Sequence, residues 1–454
     1  MGKLFGTDGI RGVVNAGLDA DLAYKVGLAA AAVLSKEKAA GERPLVTIGK
    51  DTRISGDLLK GALIAGLCTA GADVLDLGTL PTPGVAWVTV DQNADAGIVI
   101  SASHNPYEHN GIKIFNGQGF KLSDALEEKI EEIVLFGHND VARKTHGQIG
   151  KVSYAAHKAS EDYIDHLEST ISGDLSGLHI LVDCANGAAS ATAARLFDRF
   201  DKLRTDVINA DPDGININDK CGSTHMDALA AMVKAGGYDM GIAFDGDADR
   251  CLAVDELGNL IDGDQIMAAC GSSMKAAGKL PGDTVVATVM SNIGLHAYTK
   301  EHDLTLECTS VGDRNVLERM LEKGYMIGGE QSGHMIFLEH ATTGDGELTA
   351  LKVLELLHSS GMKASELFGR CKRYPQVLIN VPVAGNDAKQ RVMNAQWLQD
   401  AIKEQEGALN GDGRILIRPS GTEALVRVMV EASSDQTAQS IAEILANLIK
   451  NKES

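Results

Sequence analysis

The chain has 454 residues, is 44% hydrophobic and 23% charged, and carries a formal charge of −20. At roughly 100–200 residues per domain, this length calls for three or four domains rather than one core. The acidic balance excludes a general nucleic-acid surface, and no apolar run is long enough to cross a bilayer. Seven scattered cysteines without a C-x-x-C pair argue against disulfides and a structural zinc site, which fits a reducing, cytoplasmic setting. An anionic ligand would be repelled at long range by this charge, so it would need a local cationic cleft.

The first residues, Met1 to Asp8, lack the apolar core of a secretory signal. The segment 5–12 sets Arg11 among glycines. Strands are predicted at 45–48 and 74–77, with a helix between them whose apolar positions are Leu59, Ala62, Leu63, Gly66 and Leu67 and whose cap is Ser55. The run 96–100 reads as a strand buried on both faces. It ends in Ser101-Ala102-Ser103-His104-Asn105-Pro106, which turns the chain. Open α/β sheets place ligands at such strand ends, so Ser103 is a candidate nucleophile. The ordinary alternative is a hydroxyl in a strand-end turn. Lys113, on a short strand at 112–115, could point towards Ser103 or be a surface charge.

The same layout recurs twice. Strands at 178–183 and 205–208 precede an apolar strand at 240–244, which runs into Asp245-Gly246-Asp247-Ala248-Asp249-Arg250. In an extended loop, alternating carboxylates project to one side. They repel one another unless a cation joins them, and an all-oxygen set suits Mg²⁺ or Ca²⁺. A solvated acidic turn is the bland alternative. A calcium-binding loop would place Glu256 at its twelfth position but has Arg250 where glycine is needed. An aspartyl phosphatase would use Asp245 as nucleophile. Strands at 284–289 and 304–307 then precede 325–328, which leads into Gly329-Glu330-Gln331-Ser332-Gly333-His334. Glu330, Ser332 and His334 could grip sugar hydroxyls, or the loop could be a plain glycine-rich connection.

The last part differs, with strands at 376–381, 414–417 and 426–431. A closing amphipathic helix is expected over 434–450, presenting Ile441, Ile444, Leu445 and Leu448. Between the last two strands, Arg418-Pro419-Ser420-Gly421-Thr422-Glu423 offers a guanidinium, two hydroxyls and glycine-freed amides, with Arg427 nearby. These are the parts of a phosphate cradle, although a Pro-Ser-Gly turn needs no ligand. The expected class is α/β: three tandem domains with mixed, mainly parallel sheets, then a smaller α+β domain. The boundaries are 1–155, 156–256, 257–369 and 370–454. No G-x-S-x-G elbow or P-loop is present.

Taken together, the loops around Ser103, Asp245, Glu330 and Ser420 resemble those of the α-D-phosphohexomutases, in the family's order, over nearly the whole chain. The resemblance implies four domains around a central cleft. It also implies interconversion of glucosamine 6-phosphate and glucosamine 1-phosphate through a phosphoserine enzyme and a 1,6-bisphosphate. The same chemistry on glucose or mannose phosphates is the alternative. On this resemblance, Ser103 carries the phosphoryl group. Asp245, Asp247 and Asp249 hold one Mg²⁺ per chain, shared with the serine phosphate. Arg11, His104, Lys113, Arg250 and His334 surround the transferring group, with His104 or Lys113 as base. Glu330 and Ser332 bind sugar hydroxyls, while Arg418, Ser420, Gly421, Thr422 and Arg427 hold the non-reacting phosphate. The partners implied are a hexosamine phosphate and an unidentified phosphate donor for Ser103, with a homodimer as an allowed assembly and neither nucleic acid nor membrane. Two positions depart from the family pattern: Ser310 stands where many members carry lysine, and Ala424 where many carry proline.

Overall fold

One strand plan is used three times. The computed structural model describes residues 4–6, 8–37, 42–420 and 424–453. The first sheet contains β1 (Ile10–Val13), β2 (Leu45–Lys50), β3 (Asp73–Thr79), β4 (Ala96–Ile100), β5 (His109–Asn116) and β6 (Val152–Tyr154), in the order β1-β5-β4-β2-β3-β6. Strands β4, β2, β3 and β6 are parallel, and β5 returns antiparallel beside β4. The second sheet contains β7 (His179–Asp183), β8 (Arg204–Ile208), β9 (Met240–Phe244), β10 (Cys251–Asp255) and β11 (Leu260–Ile261), in the order β11-β10-β9-β7-β8. The third contains β12 (Thr284–Thr288), β13 (Thr305–Thr309), β14 (Ile327–Gly329) and β15 (Met335–Phe337), in the order β13-β12-β14-β15.

In each sheet a central strand (β2, β7, β12) is flanked by two parallel strands reached through helical crossovers. The second of these (β4, β9, β14) then hairpins back on an antiparallel partner (β5, β10, β15). The three loops singled out in the sequence are those hairpin connections. Every residue of β4 and β9 is buried, as continuous apolar runs require.

The helix Gly56–Ala70 packs on Ala20–Leu34 through Leu59, Leu63 and Leu67. Burying each such leucine stabilises by about 1.5–3 kcal/mol. The two backbones meet at glycines: a Cβ on Gly66 would lie 2.1 Å from the Tyr24 carbonyl oxygen. Ser55 holds the N-cap position, but its hydroxyl makes no cap bond; it accepts from Asn110 Nδ2 at 2.9 Å instead.

The described chain divides into two compact units, residues 1–290 with 304–368, and residues 291–303 with 369–454. The second is built on an antiparallel sheet of β16 (Gln376–Pro382), β17 (Gly413–Pro419) and β18 (Leu425–Ala432), in the order β16-β18-β17. Helices Asn386–Met393 and Gln396–Leu409, absent from the sequence expectation, lie between β16 and β17. The closing helix spans Asp435–Glu453 and buries Ile441, Ala442, Leu445 and Ile449, whereas Ile444 is 51% exposed. The helical period places 441, 445 and 449 in one row and turns 444 outward. Segment 291–303 joins this unit through Glu431, whose fully buried carboxylate accepts from the Ile293 amide (2.9 Å), Asn292 (3.3 Å) and Arg414 (3.1 Å). The α/β class with a smaller C-terminal α+β part is as expected. Among the described residues no helix is long and apolar enough to cross a membrane.

Candidate active site

The β4–β5 hairpin loop places Ser103 in the left-handed backbone region, at φ 51°. For a residue with a side chain this costs about 1 kcal/mol, so the loop must be held. The Ser103 amide donates to Ser101 Oγ (2.9 Å), and its carbonyl accepts from Arg53 (2.8 Å) and Asn218 (3.0 Å). So constrained, the buried Ser103 hydroxyl donates to Asp245 Oδ2 at 2.6 Å and lies 3.2 Å from His104 Nδ1. Arg250 donates to that same ring nitrogen at 3.1 Å. Burial, reinforced by the charges of Arg250 and Arg11, pushes His104 down to about 4, so its imidazole is neutral near pH 7.

The β9–β10 loop supplies Asp245, Asp247 and Asp249. It is a tight turn rather than an extended segment, closed by the Ala248 amide on the Asp245 carbonyl (3.0 Å) with Ala248 at φ 55°. Convergence of the three carboxylates therefore comes from the turn, not from strand-like alternation. One ligand oxygen from each lies within 4.8 Å of the others. All three residues are buried, and one oxygen each of Asp247 and Asp249 has no hydrogen-bond partner. Burial drives Asp245 up to about 8, with Asp249 and Asp247 adding to the effect. Burial acts likewise on Asp249, but Lys113 and His334 outweigh it and hold that carboxyl below the usual range. Buried oxygens with free lone pairs and an all-oxygen donor set fit a hard divalent cation.

Lys113, buried on β5, donates to Asp247 (2.8 Å) and Asp249 (3.4 Å) and lies 3.6 Å from Asp8. Although burial opposes its charge, these carboxylates keep the ammonium protonated. Thr82 donates to Asp247 from the first sheet's side at 2.6 Å. Arg11, on β1, pairs with Asp8.

The β14–β15 loop is closed by the Glu330 amide on the His334 carbonyl (3.0 Å) and the Gly333 amide on the Glu330 carbonyl (2.9 Å). It is docked on β10: Cys251 N–H donates to the Gly333 carbonyl at 3.0 Å, and a Cβ on Gly333 would lie 2.4 Å from the Cys251 oxygen. Glu330 accepts from the Gly312 amide (3.2 Å), and Ser332 is exposed at the tip. His334 is buried, with Nε2 accepting from the Gly344 amide (3.1 Å) and Nδ1 3.7 Å from Asp249.

In the second unit, Arg418 on β17 stands directly opposite Arg427 on β18. Facing like charges are unfavourable unless an anion joins them. Burial and the Arg427 charge lower the Arg418 pKa. Ser420 is buried, and its carbonyl accepts from Lys389 at 2.8 Å. Gly421 and Thr422 lie outside the described residues.

The structure thus gathers Ser103, His104, Lys113, Arg250, His334 and the three aspartates into one site, with Arg11 reaching it through Asp8. Sequence reasoning missed Asp8, Thr82, Arg53, Asp51, Asn218 and Lys389. Asp51 and Arg53 follow the buried strand β2, so the strand-end criterion that found Ser103 would have found them too. The calcium-loop alternative fails, because β10 separates Asp249 from Glu256, and Glu256 accepts from the Ser365 amide at 3.0 Å.

Family models described as phosphoglucomutase/phosphomannomutase match domain I at residues 2–139, domain II at 161–258, domain III at 262–374 and the C-terminal domain at 378–448. The chain is 52% identical over 453 residues to a phosphoglucosamine mutase of Ruminiclostridium cellulolyticum, covering 100% of both chains. It is 51% identical over 454 residues to one of Acetivibrio thermocellus, again covering 100% of both. Among solved structures, it is similar to a phosphoglucomutase/phosphomannomutase family protein of Burkholderia thailandensis (TM-score 0.81, 23% identity, covering 99% and 98% of the two chains). It is also similar to Aspergillus fumigatus N-acetylphosphoglucosamine mutase in complex with GlcNAc-6P and magnesium (TM-score 0.71, 20% identity, covering 99% and 96%).

Proposed function

Because the chain belongs to the phosphoglucomutase/phosphomannomutase family, we propose that it is an isomerase interconverting glucosamine 6-phosphate and glucosamine 1-phosphate, with Ser103 as its phosphoryl carrier. The observation that carries the site assignment is the Ser103 hydroxyl, held 2.6 Å from Asp245 within the three-aspartate cluster. The relatives sharing about half of the sequence bear the phosphoglucosamine mutase name over their full length.

In the forward direction the P–O bond to Ser103 Oγ breaks and one to the substrate's free C1 hydroxyl forms. The hydroxyl proton passes to the neutral His104; Lys113, the other base the sequence allowed, is kept protonated by its carboxylates and serves as fixed charge instead. The resulting 1,6-bisphosphate returns its other phosphate to Ser103, which regenerates the carrier. Such transfer depends mainly on alignment and charge neutralisation. Asp245, Asp247 and Asp249 would hold one Mg²⁺, with Ser103 as a further ligand, and the cation would neutralise charge on the moving phosphoryl group. Arg250 and Lys113 add fixed positive charge there, and Arg11 lines the same region. Glu330, Ser332 and His334 contact sugar hydroxyls. Arg418, Ser420, Gly421, Thr422 and Arg427 hold the phosphate that is not reacting. The division at 155/156, 256/257 and 369/370, a cytoplasmic setting, a homodimer and an external phosphate donor complete the proposal.

Intact mass with peptide mapping tests the carrier directly: a phosphate on Ser103 is expected. The Ser103→Ala variant is expected to lose isomerisation, and undiminished turnover would overturn the assignment. Comparing glucosamine, glucose and mannose phosphates tests the sugar.

A further inference from the structure

We infer that Arg53, acting with Asp51 and Ser101, is the positioning device that holds Ser103 in its left-handed, reactive conformation. The inference rests on Ser103 being the phosphoryl carrier. Arg53 lies just beyond β2 and is 1% exposed. A guanidinium has five N–H donors. Here Nε goes to the Asp51 carboxylate at 2.8 Å. Nη2 donates to the Ser103 and Asn105 carbonyls, each at 2.8 Å. Nη1 donates to the His109 carbonyl at 3.0 Å and to that of Pro106. Apart from Asp51, every acceptor is main chain of the turn that carries Ser103 or of the first residue of the strand that follows it. All five donors are used inside the protein, so this cation shapes a loop and binds no ligand.

The clamp closes on both sides of Ser103. Asp51 Oδ2 also accepts from Ser101 Oγ (2.7 Å), and Ser101 Oγ accepts the Ser103 amide (2.9 Å). Arg53 meanwhile holds the Ser103 carbonyl. One buried carboxylate–guanidinium pair therefore fixes both peptide groups around a residue whose φ of 51° is intrinsically disfavoured. Released, the backbone would relax to negative φ and swing Oγ away from Asp245. Misplacing a reacting atom by about 1 Å can cost about 100-fold in rate.

Arg53→Ala leaves a hole lined by carbonyl oxygens and a carboxylate, which free guanidinium can fill. The expected result is kcat about 100-fold lower, with KM for the hexosamine phosphate unchanged. Guanidinium chloride below its denaturing range should restore part of kcat, and equal sodium chloride or urea should not. A purely structural lesion would be worsened by guanidinium. Unchanged kcat, or a loss that guanidinium does not reverse in a folded variant, overturns the inference. If Arg53→Ala does not fold, Ser101→Ala decides: kcat about tenfold lower at constant KM supports the clamp, and wild-type kcat overturns it. Ser103→Ala is measured alongside. Activity in that variant removes the carrier assignment itself. Inactivity there, with full activity in Arg53→Ala or Ser101→Ala, removes only the positioning role.

Discussion

Thr82 touches no reacting atom in the proposed site, yet its hydroxyl donates to Asp247 at 2.6 Å and its amide donates to the Asp247 carbonyl at 2.9 Å. It thereby orients a carboxylate whose other oxygen is left for a cation. Removing such a supporting donor typically weakens metal affinity by about 10–100-fold. Thr82→Val is therefore expected to raise the Mg²⁺ concentration needed for half-maximal activity by that factor. At saturating Mg²⁺, kcat should approach that of wild type, as a titration of rate against metal would show. An unchanged metal requirement would place Asp247 outside the metal set.

At the scale of elements, two strands and one helix carry the clearest expectations. The β17–β18 pair sets Arg418 directly opposite Arg427, and like charges so placed are unfavourable unless other groups offset them. Arg418→Met should leave the melting temperature of the ligand-free protein close to that of wild type. It should also remove the stabilisation given by inorganic phosphate and raise KM more than it lowers kcat. Helix Gly346–Ser360 carries in its first turn Glu347, which is fully buried; one of its oxygens accepts from Thr192 (2.7 Å) and the other has no hydrogen-bond partner. Burial pushes this carboxyl up to about 8, against the pull of the Thr192 bond. Because the folded state binds the proton more tightly than the unfolded chain, its contribution to stability is fullest below the ordinary glutamate range. That contribution declines as pH rises towards 8. Glu347→Gln keeps the acceptor for Thr192 and removes the titration. It should match wild type near pH 4 and exceed it at pH 8 by about 4 kcal/mol, measured by urea unfolding at both pH values.

For the molecule as a whole, three buried carboxylates in one turn would make stability depend on the cation proposed to join them. A chelator is expected to abolish turnover and lower the melting temperature, and Mg²⁺ at about 100 times its Kd should return about 2.7 kcal/mol. A melting curve indifferent to chelator and metal would contradict this. The strand plan was legible in the sequence because β4 and β9 are continuous apolar runs ending in chemistry-bearing loops. The antiparallel returns were less so, since β10 and β15 are as apolar as their parallel neighbours and pattern alone does not reveal direction. Helices Asn386–Met393 and Gln396–Leu409 were missed, since both are largely polar in sequence; Lys389, on the first, was missed with them. Ser103 and the aspartates were found from local spacing. Arg53 follows a buried strand and was open to the same reasoning, whereas Asn218 and Thr82 act through contacts from distant parts of the chain, which no local pattern announces.

Ser101, Asp245 and Glu330 each open the hairpin that follows the parallel strand (β4, β9 or β14) beside the central strand of their own sheet. The scaffold thus presents three interchangeable sockets, each accepting a short insert whose ends are fixed by the same strand pair. Sugar preference could then be re-engineered by grafting residues 330–334 from a relative with a different substrate, provided Gly333 is retained. The graft would leave the loops proposed to carry the phosphoryl group and the cation, on separate sheets, untouched in sequence.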